Sequence, residues 1–148
     1  PSPCNPGSKP AASLSKELLN VIDFSGWVAL SDSPFDGESA EVARRVIELR
    51  RQIAELDLPS VYVHFENPNG QAVLLVCGAG NRRRPEHAEF EDLVVWLANE
   101  LPGSWGVIYW RDDEGEPRNA YRIMRIARGQ VTWHDDTLLS PCNPVIED

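Results

Sequence analysis

Between Val42 and Phe65 the spacing of apolar residues changes period, and no other feature of the chain constrains its fold as tightly. Val42, Val46, Leu49, Ile53 and Leu56 recur at intervals of 4, 3, 4 and 3, the spacing of one apolar face of a helix. Pro59 marks the end of that helix. Val61, Val63 and Phe65 then alternate with Tyr62, His64 and Glu66, the period of a strand with one buried face. A chain with this switch must lay a helix on a sheet.

The remaining elements follow from similar signals. Phe24 to Ser31 reads as a strand containing Trp27, followed by a turn at residues 32–37. Asn67-Pro68-Asn69-Gly70 predicts a hairpin, because Asn-Gly tolerates the positive φ of a type I′ turn. Gln71 to Cys77 is apolar on both faces and belongs in the interior of a sheet, with Cys77 buried as a small hydrophobe. Gly78-Ala79-Gly80 reads as the strand's exit and Arg82-Arg83-Arg84 as a loop. Pro85 suits the first turn of a second helix that runs to about Leu101. Phe90, Val94, Leu97 and Leu101 form its stripe, while Val95 and Trp96 point elsewhere. Pro102-Gly103-Ser104 breaks that helix. Trp105 to Arg111 is a further strand, with Trp105 and Tyr109 expected to be buried on one face and Ile108 on the other. An acidic turn spans 112–116. Asn119 to Ala127 and Gln130 to His134 pair through Arg128-Gly129, and 137–148 is irregular.

The order is β-α-β-β-α-β-β-β. This is an α+β pattern: a mixed or antiparallel sheet of about six strands with two main helices on one face. The apolar groups on the other face need cover, from the tails or from a partner. Residues 22–148 are expected to form one α+β domain, preceded by a leader or tail over 1–21. Residues 1–13 are rich in Pro, Ser, Ala and Gly and are expected to be flexible; Leu14, Leu18, Leu19 and Ile22 suggest a turn or two of helix after them. No apolar run approaches the roughly 20 residues needed to cross a bilayer, and the N-terminal segment lacks the apolar core of a signal peptide. The expected address is the cytoplasm.

Charge narrows the function. A formal net charge of −9 argues against direct binding to nucleic acid phosphates and against an anionic membrane. It favours a basic partner, or one that itself binds nucleic acid, although acidity alone also serves solubility. The chain has three cysteines, too scattered for a disulfide framework; Cys4 and Cys142 each lie in the pentapeptide Ser-Pro-Cys-Asn-Pro.

Catalytic motifs are scarce. His64, His87 and His134 have no second ligand at metal-binding spacing. No nucleophile elbow, phosphate loop or dinucleotide fingerprint occurs. His64 and Cys77 could meet across the hairpin, and His134-Asp135-Asp136 has the letters of a phosphohydrolase signature, so a small hydrolase remains the alternative. Asp112, Asp113, Glu114 and Glu116 form the densest carboxylate cluster, read as a flexible turn or as a recognition element for a basic cleft. With Asp135, Asp136, Glu147 and Asp148 they are the candidate partner-binding residues. No cofactor or metal is expected.

A wider pattern runs through the chain: Phe24-Ser25-Gly26-Trp27, Ser31-Asp32-Ser33-Pro34, the stretch from Pro102-Gly103-Ser104-Trp105-Gly106 to Tyr109-Trp110-Arg111-Asp112-Asp113-Glu114, Ala127-Arg128-Gly129, and the ending Leu138-Leu139-Ser140-Pro141-Cys142-Asn143-Pro144-Val145-Ile146-Glu147-Asp148. Over roughly residues 22–148 it resembles the immunity protein 7 family of bacterial polymorphic toxin systems. Residues 1–21 depart from the pattern. The resemblance implies a non-enzymatic α+β protein that neutralises a cognate secreted toxin by binding it in the cytosol. Trp27, Trp105 and Arg111 match positions typical of the family, with packing and binding roles both open. An acidic inhibitor would associate quickly with the basic cleft of a nuclease or nucleotide-modifying toxin.

Overall fold

The computed structural model describes residues 22–33, 39–56, 61–80, 85–112 and 119–141. In chain order these are β1 (Ile22–Leu30), α1 (Ala40–Glu55), β2 (Val61–Glu66), β3 (Ala72–Gly80), α2 (Pro85–Glu100), β4 (Trp105–Asp112), β5 (Arg122–Ala127) and β6 (Gln130–Asp135). The strands form one six-stranded sheet in the order β2-β3-β1-β4-β5-β6. Every neighbouring pair is antiparallel. The α+β class and the element order match the sequence reading.

Two element bounds are corrected. Ile22 does not continue a helical stripe; it opens β1, buried and paired with Gly80 on one side and Asp112 on the other. For the same reason Gly78-Ala79-Gly80 is not an exit, since β1 needs those partners along its first residues. Residues 1–21, the acidic residues Asp113, Glu114 and Glu116, and Glu147 and Asp148 lie outside the described residues.

Both tight hairpins have the expected chemistry. Asn69 (φ 54) and Gly70 (φ 79) take left-handed conformations, and Gln71 N donates to Pro68 O at 3.1 Å. Arg128 (φ 54) and Gly129 (φ 73) repeat this arrangement between the paired residues Ala127 and Gln130. A positive φ at two successive residues matches the right-handed twist of the strands they join.

Both helices lie on one face of the sheet. Val42 and Leu49 of α1, and Phe90, Leu93, Val94, Leu97 and Ala98 of α2, are buried in one core with the even-numbered residues of β1, β3, β4 and β5. At its centre Phe24 stacks between Phe90 and Trp110, with ring centroids 5.1 and 5.0 Å away. Burying one such ring contributes about 1.5–3 kcal/mol. Ser39 caps α1 by accepting from the Val42 N–H at 3.2 Å, which satisfies one of the helix's free donors. Arg45 joins the two helices, pairing with Glu41 at 2.8 Å and with Glu100 of α2. The loop after β1 is held by Ser104, whose Oγ accepts from Ser31 N at 3.0 Å. Gly103 sits so close that a Cβ there would come within 2.6 Å of the Ser33 backbone.

The expectation that Trp105 is a core residue is overturned. Ile108 and Trp110 face the helices, at 0% and 6% exposed, whereas Trp105 is 54% exposed and Tyr109 is half-buried. The two sides of β4 were paired correctly, but the helices cover the other one. Cys77 is likewise exposed instead of buried, for its side of β3 faces away from the described helices.

Candidate partner-binding surface

Side chains alternate across a sheet, so the odd-numbered residues of β1, β3 and β4 share the face opposite the helices. The registers place them in rows. Leu75, Trp27 and Val107 lie side by side, as do Cys77, Ser25 and Tyr109. On β2, His64 stands opposite Leu75 and Tyr62 opposite Cys77. Trp27, Leu75 and Tyr62 are exposed large hydrophobics on this face, and no described helix covers it.

The strongest feature here is an aromatic pair. The rings of Trp27 and Trp105 meet edge to face, with centroids 5.0 Å apart and planes at 90°. The two glycines beside them explain how β1 and β4 come together. A Cβ on Gly26 would lie 2.1 Å from Val107 O, and one on Gly106 would lie 2.1 Å from Trp27 O. Only glycine fits either position, and the resulting close approach holds the two indoles together. Exposed tryptophans held rigidly suit binding, because they cover a large area at little entropic cost.

Two opposite charges on this face, those of Arg111 and Asp23, offset each other. Arg111 donates to Asp23 Oδ2 through Nε at 2.8 Å and Nη2 at 2.5 Å, a partly buried cross-strand pair. Its described acid partner is thus on β1. Tyr109 meets Tyr121 edge on beside it. His64 pairs with Glu66 and stacks on Tyr62, with ring centroids 5.7 Å apart. The register sets His64 opposite Leu75, not opposite Cys77, so no thiol–imidazole pair is formed.

The three described candidate acids, Asp112, Asp135 and Asp136, lie at one end of the sheet. Asp112 ends β4 opposite Ile22, and Asp135 ends β6 opposite Arg122. Asp136 departs from the expected role of an exposed contact. It is buried at 7% exposure, and its oxygens accept from Leu138 N (3.0 Å), Leu139 N (2.8 Å) and Ser140 Oγ (2.8 Å). Burial works to raise its pKa, but the donors of Leu138, Ser140 and Leu139 outweigh it, and the carboxyl titrates below its ordinary value. Asp136 is thus a brace for its loop. What the brace presents is apolar: Leu138 and Leu139 are 80% and 59% exposed. Two leucines in an irregular tail carry no periodic signal, and the sequence reading passed over them. His134 contacts Thr132 Oγ1 at 2.9 Å, so His134, Asp135 and Asp136 do not converge on one point. Among the described residues no group of three or more His, Cys, Asp or Glu could hold a metal ion. No described helix is long and apolar enough to cross a membrane.

A family model described as Immunity protein 7 matches residues 21–148. The chain belongs to the immunity protein 7 family. No curated protein and no solved structure matches it. Membership makes this an immunity protein, a toxin inhibitor of bacterial competition whose partner is a cognate toxin protein. Trp27, Trp105 and Arg111, matched separately on the sequence, share the sheet face opposite the described helices of this immunity protein 7 fold, the two tryptophans in contact and Arg111 further along β4.

Proposed function

We propose that the chain neutralises its toxin in the cytosol by covering the toxin's active site with the helix-free sheet face. The exposed Trp27–Trp105 pair carries this reading. A rigid aromatic centre with charged surroundings is the usual anatomy of a tight protein interface. The acidic segments Asp112 to Glu116, Asp135 and Glu147-Asp148 then steer the approach, and Leu138 and Leu139 add apolar contact beside them. Carboxylates suit a toxin that handles phosphates, a nuclease or a nucleotide-modifying enzyme. The chain acts by binding alone, with no cofactor and no contact with nucleic acid or membrane.

The test uses the toxin domain encoded beside the gene. Its activity on RNA, DNA and nucleotides is measured with increasing amounts of the chain. Stoichiometric inhibition of the native chain, lost on replacing both Trp27 and Trp105 by Ala in a protein that still folds, is the expected result. Full inhibition by that double variant would overturn the assignment of the face. An uninhibited toxin, or one acting on neither nucleic acid nor nucleotide, would overturn the wider reading.

A further inference from the structure

The helix layer carries a second surface on the opposite side of the molecule. The two helices run antiparallel, with Arg45 beside Glu100 at one end and Glu55 and Leu56 facing Glu89 and Asp92 at the other. Between them lies a hollow of about 510 Å³. Leu56, Leu93 and the half-buried Trp96 form its apolar part, and Glu55, Glu89 and Asp92 stand exposed at its rim.

The charges around this hollow are unequally answered. On α1 the acids have arginine partners: Glu41 with Arg44 and Arg45, and Glu48 and Glu55 with Arg51. On α2 the acids that line the hollow are Glu89 and Asp92, and the helix contains no Lys or Arg. Glu89 and Asp92 form no ion pair or hydrogen bond with any described residue. Like charges at i and i+3 destabilise a helix slightly, so a cation arriving here relieves a repulsion as well as gaining an attraction. Nor does any described cation lie over the Trp96 ring.

We propose that this groove binds an arginine-bearing segment of a partner protein. Its volume is that of sites that hold small ligands. A planar guanidinium can stack on an indole while its N–H groups reach carboxylates, which a lysine does less well. The chain uses the same contact elsewhere, with Arg50 4.4 Å from the centre of the Phe65 ring and Arg122 5.0 Å from that of Trp133. A smaller hollow on the other side of Trp96 reaches Ile47, which is 71% exposed, giving an apolar neighbour of the arginine a place to rest. This surface faces away from the Trp27–Trp105 pair, so one compact domain does not cover both; the inference goes beyond the toxin contact and stands apart from it.

The probe is the peptide acetyl-Arg-Leu-Arg-amide, followed by amide and indole N–H shifts in the full chain, with acetyl-citrulline-Leu-citrulline-amide as the uncharged control. Saturable shifts at Trp96, Glu89 and Asp92 are expected, absent with the control. The Glu89→Gln/Asp92→Asn variant, checked for an unchanged fold by circular dichroism, should bind about tenfold more weakly, a loss of about 1.4 kcal/mol. Equal binding of the control peptide, or unsaturable shifts that spread to Asp112 and Asp135, would overturn the proposal. So would tighter binding after replacing Arg82, Arg83 and Arg84 by Ala, since the chain's own arginines would then be filling the groove. No toxin enters the measurement, so its failure leaves the toxin reading untouched.

Discussion

Arg111 on β4 grips Asp23 on the central strand β1 through two nitrogens, at 2.8 and 2.5 Å, across 88 residues of chain. Both side chains are about four-fifths buried. Removing one partner leaves the other partly desolvated without this ion pair, a loss of about 1–3 kcal/mol. Arg111→Ala should lower stability by that much in urea unfolding, and Arg111→Ala with Asp23→Ala should cost less than the two single changes together. Strict additivity would show that the pair contributes nothing.

Trp105 and Phe24 should separate binding from folding. Phe24→Ala empties the centre of the core and should cost about 3–5 kcal/mol. Trp105→Ala removes an exposed ring with one aromatic neighbour and should cost about 1 kcal/mol. Its effect on toxin affinity should be larger, about 2 kcal/mol or more, seen mainly in the off-rate. A stability loss as great as that of Phe24→Ala would return Trp105 to the core.

Gly106→Ala should be more harmful than its single added methyl suggests. The new Cβ would sit 2.1 Å from Trp27 O and 2.7 Å from Val28 Cα, both backbone atoms that cannot swing aside. Overpacking ordinarily costs about 1–3 kcal/mol, and a clash with backbone belongs at or above the top of that range. A urea midpoint equal to that of the native chain would mean that β1 and β4 are less tightly apposed than described.

Asp136 gives a pH dependence with a definite sign. Its folded pKa lies below its unfolded value of about 3.8. Its contribution is therefore complete above that value and fades as pH falls through the folded pKa. The gap in melting temperature between the native chain and Asp136→Asn should be constant near neutrality and should narrow below about pH 4. A gap unchanged down to pH 2 would assign the acid sensitivity to other carboxyls.

Charge reversal in the acidic segment tests steering. The Asp113→Lys/Glu114→Lys variant should bind the toxin with a slower on-rate and a smaller response to salt, because exposed charges are screened beyond about 8 Å at physiological ionic strength. Stopped-flow association at two salt concentrations is the measurement. Unchanged on-rate and salt slope would remove the acidic turn from the interface.

The elements themselves were readable because periodicity reports them directly. The stripe from Val42 to Leu56 and the alternation at Val61 to Phe65 could hardly be anything else. Orientation was not readable. In β4, Trp105 and Tyr109 alternate with Ile108 and Trp110, and either set could have faced the helices; the larger aromatics do not automatically take the inside. That choice depends on where α1 and α2 lie, which no local pattern states. Asp136 was misread for a related reason. An acid beside another acid looks like a surface feature until the backbone folds three donors around it. The shared role of Gly26 and Gly106 was hidden too, for two glycines 80 residues apart line one seam only once β1 and β4 are neighbours.

The central place of β1 also sets when the protein can come into being. Among the six described strands this one is made first, yet its two neighbours are β3 and β4, with Ile22 opposite Gly80 and Asp112. Contacts so distant in sequence give a high contact order, which slows folding because long loops must close before any pairing is gained. On a ribosome, β1 can pair with β3 once that strand has emerged, but its other edge must wait for β4, and Trp27 must wait for Trp105. A nascent or truncated chain ending before β4 therefore lacks not just part of the proposed binding face but its organising centre.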